Sequence, residues 1–160
     1  MSEREPSRAE RFRALHAPGR MLVLPNAWDA GSACVIEACG AEAIATTSSG
    51  LAWACGHPDG DAIPPAVLAQ AIGRIERVIS VPLSVDAEGG YAQDHEQVGE
   101  TVRALMDAGA VGVNLEDGST HPPDALCAKI AAVRTVAARA GIALFVNART
   151  DVFLRGLVSP

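Results

Sequence analysis

The segment Val81–Ala92, VPLSVDAEGGYA, places two carboxylates where an apolar run ends. Val81, Leu83 and Val85 alternate with small or polar residues and lead into Asp86 and Glu88. Side chains two apart on a strand share a face, so Asp86 and Glu88 are expected to point the same way at a strand's end. Gly89 and Gly90 follow, and glycine turns the backbone without a Cβ penalty. Two carboxylates this close repel each other unless a cation or a shared proton compensates them. The pair suits a hard divalent ion such as Mg²⁺, and it is equally the composition of a solvated acidic turn.

Four other apolar runs end in polar pairs: Asn26 and Asp29, Thr47 and Ser49, Asn114 and Glu116, Asn147 and Arg149. In four of the five pairs the members are two apart, so each of those pairs shares a face if strand geometry persists. Asp29 reads as a helix N-cap, because its side chain can accept a hydrogen bond from a free backbone donor. Arg149 does not fit a cap. A guanidinium beside an apolar strand needs an anionic partner, either a structural carboxylate or a substrate.

The elements that position these residues follow from periodicity. Strands are expected at Met21–Leu24, Ala43–Thr47, the Val81 stretch, Ala110–Leu115 and Ile142–Val146. Glu10–His16 is expected to form part of a short helix, with longer ones at Asp29–Cys39, Pro64–Val78, His95–Ala108 and Asp124–Ala140. Ala52–Ile63, with His57, Pro58, Asp59, Gly60 and Asp61, reads as a long polar loop, and Ser119–Pro123 as a shorter one. Trp28 and Trp53 read as packing beneath loops, with Trp53 a second candidate for a pocket wall; His16 and His95 read as surface residues, and His57 as an exposed loop residue.

Regular strand–helix alternation implies an α/β fold of parallel strands joined by right-handed crossovers, and near-continuous apolar strands imply a sheet covered on both faces. In such folds functional groups collect at the carboxyl ends of the strands. Two architectures fit: a five-stranded doubly wound sheet, or the first five βα units of a (β/α)8 TIM barrel, which normally takes about 250 residues. Length favours the first, and the polar strand ends favour the second. A single domain over 1–160 is expected, with 1–20 as a helical lead-in.

Composition narrows the classes. Of the 160 residues 49% are hydrophobic and 20% charged, which suits a globular core rather than disorder. A formal charge of −6 without a Lys/Arg-rich run argues against nucleic acid as a partner. No apolar run approaches the roughly 20 residues of a membrane span. The charged segment MSEREPSRAERFRAL has no apolar core of a secretory signal, so a cytoplasmic location is expected. Cys34, Cys39, Cys55 and Cys127 lack CxxC spacing, which points to reduced thiols rather than a zinc site.

The segments LPNAWDAGSA, TTSSGLAWACGHPDG, VDAEGGY, VNLEDG and NARTDVFL, in this order and spacing, resemble the isocitrate lyase/phosphoenolpyruvate mutase superfamily, and within it the short bacterial carboxyvinyl-carboxyphosphonate phosphorylmutase-like members, also labelled phosphoenolpyruvate phosphonomutase-like. The resemblance covers nearly the whole chain from Met21 and implies a (β/α)8 barrel of which the last three units are absent here. It implies that Asp86 is the principal Mg²⁺ ligand (Mn²⁺ being an alternative), with Glu88 and Glu116 as further metal-site carboxylates. It implies that Asp59 in the HPDG loop reaches or closes over the metal site, and that Ser49, Gly50 and Leu51, with Thr47 nearby, grip a substrate carboxylate. Arg149 then faces the anionic end of the substrate, and Asn147 beside it joins Asp59 and Arg149 as a catalytic candidate. The implied partners are small 2-oxo acids, 2-hydroxy acids or phosphoenolpyruvate-like molecules, handled through an enolate-like anion, by a protein that is a homo-oligomer at full length.

One departure bears on the reaction. The carbon–carbon lyases of the superfamily carry a Lys-Lys/Arg-Cys-Gly-His loop after the fourth strand, whereas residues 117–128 here read DGSTHPPDALCA. His121 and Cys127 do not reproduce that loop, and Cys127 reads as a core residue of a helix. Isocitrate or methylisocitrate lyase activity is thereby put in doubt, while phosphonomutase, 2-oxoacid hydrolase and decarboxylase chemistry stay open. The competing readings are a truncated, non-catalytic fragment or pseudoenzyme, and a receiver- or flavodoxin-like binding module. The last requires a phosphate or flavin loop after the first strand, where Pro25–Asp29 offers no glycine-rich cradle.

Overall fold

The computed structural model describes residues 5–117, 123–152, 154 and 156. Helix α1 (Arg8–Leu15) starts at a capping box in which Ser7 and Glu10 satisfy each other's backbone donors. Strand β1 (Asn26–Ala27) leads to α2 (Ala30–Ala38), capped by Asp29 as its sequence position indicates: the Ser32 amide donates to Asp29 Oδ1 at 2.7 Å. Strand β2 (Ile44–Thr46) runs into α3 (Ser48–Ala54), and α4 (Pro65–Glu76) follows the loop after it. Then come β3 (Leu83–Asp86), α5 (His95–Asp107) capped by Asp94, β4 (Gly112–Glu116), α6 (Pro123–Arg139) and β5 (Phe145–Arg149).

All strand pairs are parallel and the sheet order is β1-β2-β3-β4-β5. Because right-handed crossovers that always step the same way leave every connecting helix on one side, this order describes an arc of a barrel. A doubly wound sheet reverses direction at a switch point, and no reversal occurs here, so the doubly wound and flavodoxin-like alternatives are overturned. The helices that connect the strands form one layer, with α2 against α4, α4 against α5 and α5 against α6.

Both faces of the sheet are covered in part, as expected, but they differ in chemistry. Ile44, Leu83, Val85, Val113 and Leu115 turn outward into one apolar cluster with Ile72 and Ile75 of α4, Val98, Val102 and Leu105 of α5 and Val133 of α6. The opposite face carries in-register rows: Ala45, Ser84, Gly112 and Phe145, then Asp86, Asn114 and Asn147, then Glu116 and Arg149. The first row, at the amino end of the strands, is covered by α1. Phe12 is 1% exposed and packs over Gly112, where a Cβ would stand 2.6 Å from its ring. The His16 ring stacks on Phe145 at 4.0 Å, so His16 is part of this closure rather than a surface residue.

Several boundaries move from those the sequence predicts. Met21–Leu24 does not pair; β1 forms at Asn26–Ala27, and Met21 and Val23 are exposed. Strand β5 begins three residues after the expected Ile142. Helix α3 replaces the start of the expected loop, and Trp53 on it and Trp28 before α2 are exposed rather than packed under loops. Cys127 lies exposed on α6, which overturns its reading as a core residue. The Ser119–Pro123 loop and His121 fall in or against residues 118–122, outside the described residues. No helix among the described residues is long and apolar enough to cross a membrane.

Candidate active site

The carboxyl ends of β3, β4 and β5 meet above the α1 plug in a cavity of about 420 Å³. Phe12, His16 and Phe145 form its floor, and Asp86, Asn114, Asn147 and Arg149 are among its polar walls. The register aligns Asp86, Asn114 and Asn147, and their side chains form a chain of hydrogen bonds. Asn147 Nδ2 donates to Asn114 Oδ1 at 2.6 Å, and Asn114 Nδ2 donates to Asp86 Oδ1 at 3.0 Å. The Ser48 amide donates to the other Asp86 oxygen at 3.4 Å. The Asp86 carboxylate is thus oriented by neutral donors, which fix its position without cancelling its charge.

One step up, Glu116 and Arg149 are paired across β4 and β5. The guanidinium forms an ion pair with Glu116 Oε2 through NH1 at 3.0 Å, and donates to both Asp151 oxygens through Nε at 2.7 Å and NH2 at 2.9 Å. The fork on Asp151 and the nearby Glu116 charge raise the pKa of Arg149 further above its ordinary value. Asp117, itself buried, accepts from the Thr150 hydroxyl at 2.5 Å and from the Asp151 amide at 3.2 Å, which anchors the turn carrying Asp151. Arg149 was expected to face a substrate anion; it already meets two carboxylates.

Glu88 takes a different direction from Asp86. Strand β3 ends at Asp86, and Glu88 lies in the left-handed region at φ 46°, so the two-residue alternation fails. Its Oε2 accepts from the Asp61 amide at 2.7 Å and its Oε1 from the Tyr91 hydroxyl at 2.8 Å, while Asp61 Oδ1 accepts from the Tyr91 amide at 3.0 Å. Burial pushes the Glu88 carboxyl pKa up, and burial beside Glu88 pushes the Tyr91 hydroxyl up as well. Asp61, Glu88 and Tyr91 are the positive-φ residues other than glycine among the described residues. Left-handed conformations cost such residues about 1–3 kcal/mol each, so their hydrogen bonds offset stored strain. A Cβ on Gly89 would stand 2.6 Å from Asp61 Oδ2, which explains glycine there, and Lys129 of α6 donates to the Gly89 carbonyl at 2.6 Å from the buried side.

The remaining expected residues occupy the rim. Thr47 is the N-cap of α3, and its hydroxyl lies 3.5 Å from that of Ser49. Ser49 and Gly50 occupy the first helical turn, where backbone amides have no acceptor within the helix. Leu51 differs, since its amide closes on the Thr47 carbonyl at 3.0 Å and its side chain is buried. Asp59 is exposed in the loop that Asp61 ties down. No group of three or more His, Cys, Asp or Glu among the described residues stands close enough together to hold a metal ion directly.

The structure therefore brings Asp86 together with Asn147 through Asn114, and Arg149 together with Glu116, but leaves Glu88 with the Asp61 loop. Sequence reasoning missed Asp151, Asp117, Asp61, Tyr91 and Lys129 as participants. Asp151 stands two residues beyond Arg149 and Tyr91 is the single tyrosine of the chain, in the turn already singled out; both were available signals. Lys129 offered none, because a lysine on an amphipathic helix reads as solvent-facing.

The phosphoenolpyruvate phosphomutase family model matches residues 12–159. An uncharacterised protein of Mycobacterium tuberculosis is 36% identical over 148 residues, covering 89% of this chain and 53% of its own. The 2-methylisocitrate lyase of Escherichia coli is 34% identical over 119 residues, covering 73% of this chain and 39% of its own. A solved structure from Burkholderia cenocepacia, provisionally described as a phosphonomutase, superposes with a TM-score of 0.89 at 44% identity, over 92% of this chain and 62% of its own. The chain spans about half the length of the curated relatives it matches, five consecutive units of their kind of barrel. With fold, ordered motifs and family model in agreement, the chain belongs to the phosphoenolpyruvate phosphomutase family of the isocitrate lyase/phosphoenolpyruvate mutase superfamily.

Proposed function

We propose that the cavity above α1 belongs to a Mg²⁺-dependent enzyme acting on a small 2-oxo acid or phosphoenolpyruvate-like anion. One observation carries this reading: the carboxylates of Asp86, Glu116 and Asp151 stand around the strand ends with Arg149 as the guanidinium among them. An anionic substrate would meet net repulsion there unless a divalent cation entered with it. The residues present fit Mg²⁺ in the manner of an ion that keeps most of its water: Asp86 as the direct carboxylate, and Glu116 as an outer one. When bound, the ion would supply positive charge to the substrate's carboxylate and C2 oxygen as negative charge develops there.

The chain's own groups have separate tasks in this reading. Asn114 and Asn147 hold the Asp86 carboxylate in one orientation. The Ser49 hydroxyl and the first-turn amides of Ser49 and Gly50 receive the substrate carboxylate. Arg149, held by Asp151, sets a fixed positive potential beside the cavity. Asp59 enters from its loop. The superfamily includes lyase members, and the absence of the Lys-Lys/Arg-Cys-Gly-His loop leaves phosphonomutase, hydrolase or decarboxylase chemistry as the reaction types proposed.

Turnover of oxaloacetate, phosphoenolpyruvate, phosphonopyruvate and substituted malates with Mg²⁺ or Mn²⁺, compared with a chelated control, tests the reading. Metal-dependent consumption of one of them is expected; a complete absence of turnover would favour the non-catalytic alternative. That alternative draws on β1 and β5, each of which pairs on one side only among the described residues.

A further inference from the structure

We propose that Tyr91 and Glu88 are positioning residues, a latch that holds the His57–Asp61 loop, and with it Asp59, against the end of β3. The inference rests on the functional reading above for what Asp59 does, but the latch itself rests on geometry. Three hydrogen bonds close a ring between two loops: Asp61 amide to Glu88, Tyr91 hydroxyl to Glu88, and Tyr91 amide to Asp61. The left-handed residues Asp61, Glu88 and Tyr91 are the three members of that ring, so the backbone at each is bent to make it. Clusters of such conformations persist where surrounding contacts over-determine them.

The β3 side of the ring is anchored. The Glu116 amide donates to the Glu88 carbonyl at 2.8 Å, the Gly90 amide to the Ala87 carbonyl at 2.8 Å, and Lys129 holds the Gly89 carbonyl. The loop side is held at its two ends, by the His57 amide on the Ala52 carbonyl at 2.8 Å and by the buried Ile63, while between them no hydrogen bond or ion pair among the described residues takes up the side chain of Asp59, and Asp59 and Gly60 are exposed. Glu88 is therefore committed to the ring, with Oε2 on the loop's Asp61 amide and Oε1 on the Tyr91 hydroxyl, rather than aimed beside Asp86. A carboxylate one methylene longer than aspartate, at a left-handed position, spans the gap to Asp61 that the strand direction leaves.

Amide hydrogen exchange on the full chain tests the latch without any ligand. Tyr91→Phe removes one hydroxyl and leaves the Asp61 amide its Glu88 acceptor. If the ring acts as a unit, the Asp61 amide nevertheless exchanges about 10-fold faster, the size of one lost charge-assisted hydrogen bond, while the Glu116 amide is unchanged. Glu88→Ala should give at least that acceleration, and Glu88→Gln, which keeps an acceptor for the Asp61 amide, should recover most of the protection. Unchanged exchange at Asp61 in both Tyr91→Phe and Glu88→Ala would overturn the latch.

A second arm asks what is positioned. In a double-mutant cycle of Tyr91→Phe with Asp59→Asn on the metal-dependent turnover, the kcat effect of Tyr91→Phe should vanish in the Asp59→Asn background; additive effects would overturn the link to Asp59. Absent turnover in the unaltered chain would overturn the functional reading instead, and the exchange result would still decide the latch.

Discussion

Replacing Arg149 with methionine keeps the stem of the side chain and removes the guanidinium from Glu116 and Asp151. Those carboxylates are largely enclosed, their side chains 12% and 5% exposed, whereas the guanidinium side chain is 38% exposed. Breaking a fully buried pair costs about 3–5 kcal/mol, and breaking an exposed one under about 1 kcal/mol. Solvent at the guanidinium discounts the higher figure, and the bidentate contact with Asp151 raises the lower, so a loss of about 2 kcal/mol is expected. For a domain of this length that corresponds to a fall in Tm of roughly 4–8 °C. Urea unfolding followed by far-ultraviolet circular dichroism measures it. Arg149→Lys, which retains charge without the planar fork, should recover less than half of the loss. The same substitution makes the cavity more negative, so Mg²⁺ should bind Arg149→Met more tightly while oxalate without metal binds more weakly. A variant within about 0.5 kcal/mol of the parent, combined with weaker Mg²⁺ binding, would refute both the ion-pair assignment and the charge reasoning.

Phe12→Ala should cost about 3–5 kcal/mol in urea unfolding, because it empties the floor of the cavity. Gly112→Ala should cost about 1–3 kcal/mol through its clash with the Phe12 ring, and distinctly less in a Phe12→Ala background; equal costs would contradict the packing of α1 into the inner face. Glu88 has a raised pKa when folded, so its contribution favours the folded state at acid pH and is lost as pH rises through the folded value. Glu88→Gln should therefore gain Tm relative to the parent between pH 4.5 and 7, with the gain shrinking toward acid pH, in metal-free buffer; a gain that grows on acidification would contradict the burial effect.

The parallel α/β fold was legible because each strand and helix carried its own period, and the Asp29 cap was readable from local chemistry alone. Choosing between a barrel and a doubly wound sheet required strand order, which residue pattern does not encode without the family motifs. Pairs two residues apart shared a face, as the alternation implies, wherever a strand continued through both members, as in Asn114–Glu116 and Asn147–Arg149. It failed at Asp86–Glu88, where β3 stops after the first carboxylate and the backbone turns left-handed. Met21–Leu24 looked like a strand from composition, yet a strand needs a partner, and pairing to β2 begins only at Asn26. Helix α3 was missed because SSGLAWA has no side-chain cap and contains glycine, so nothing local announced its start. Asp151 and Tyr91 were visible as nearby residue types, but their grip on Arg149 and Glu88 was not, because both contacts form across turns whose geometry is set by distant contacts.

The most direct measurement is a calorimetric titration of Mg²⁺ into the chain and into Asp86→Asn, a variant of nearly the same shape that keeps one acceptor oxygen for one of the two donors, Asn114 Nδ2 and the Ser48 amide. With both proteins shown to unfold at similar urea concentrations, the parent is predicted to bind Mg²⁺ and Asp86→Asn to bind it at least about 10-fold more weakly, as expected when a divalent ion loses its direct carboxylate. Equal affinity in the two proteins would contradict a metal site at the end of β3.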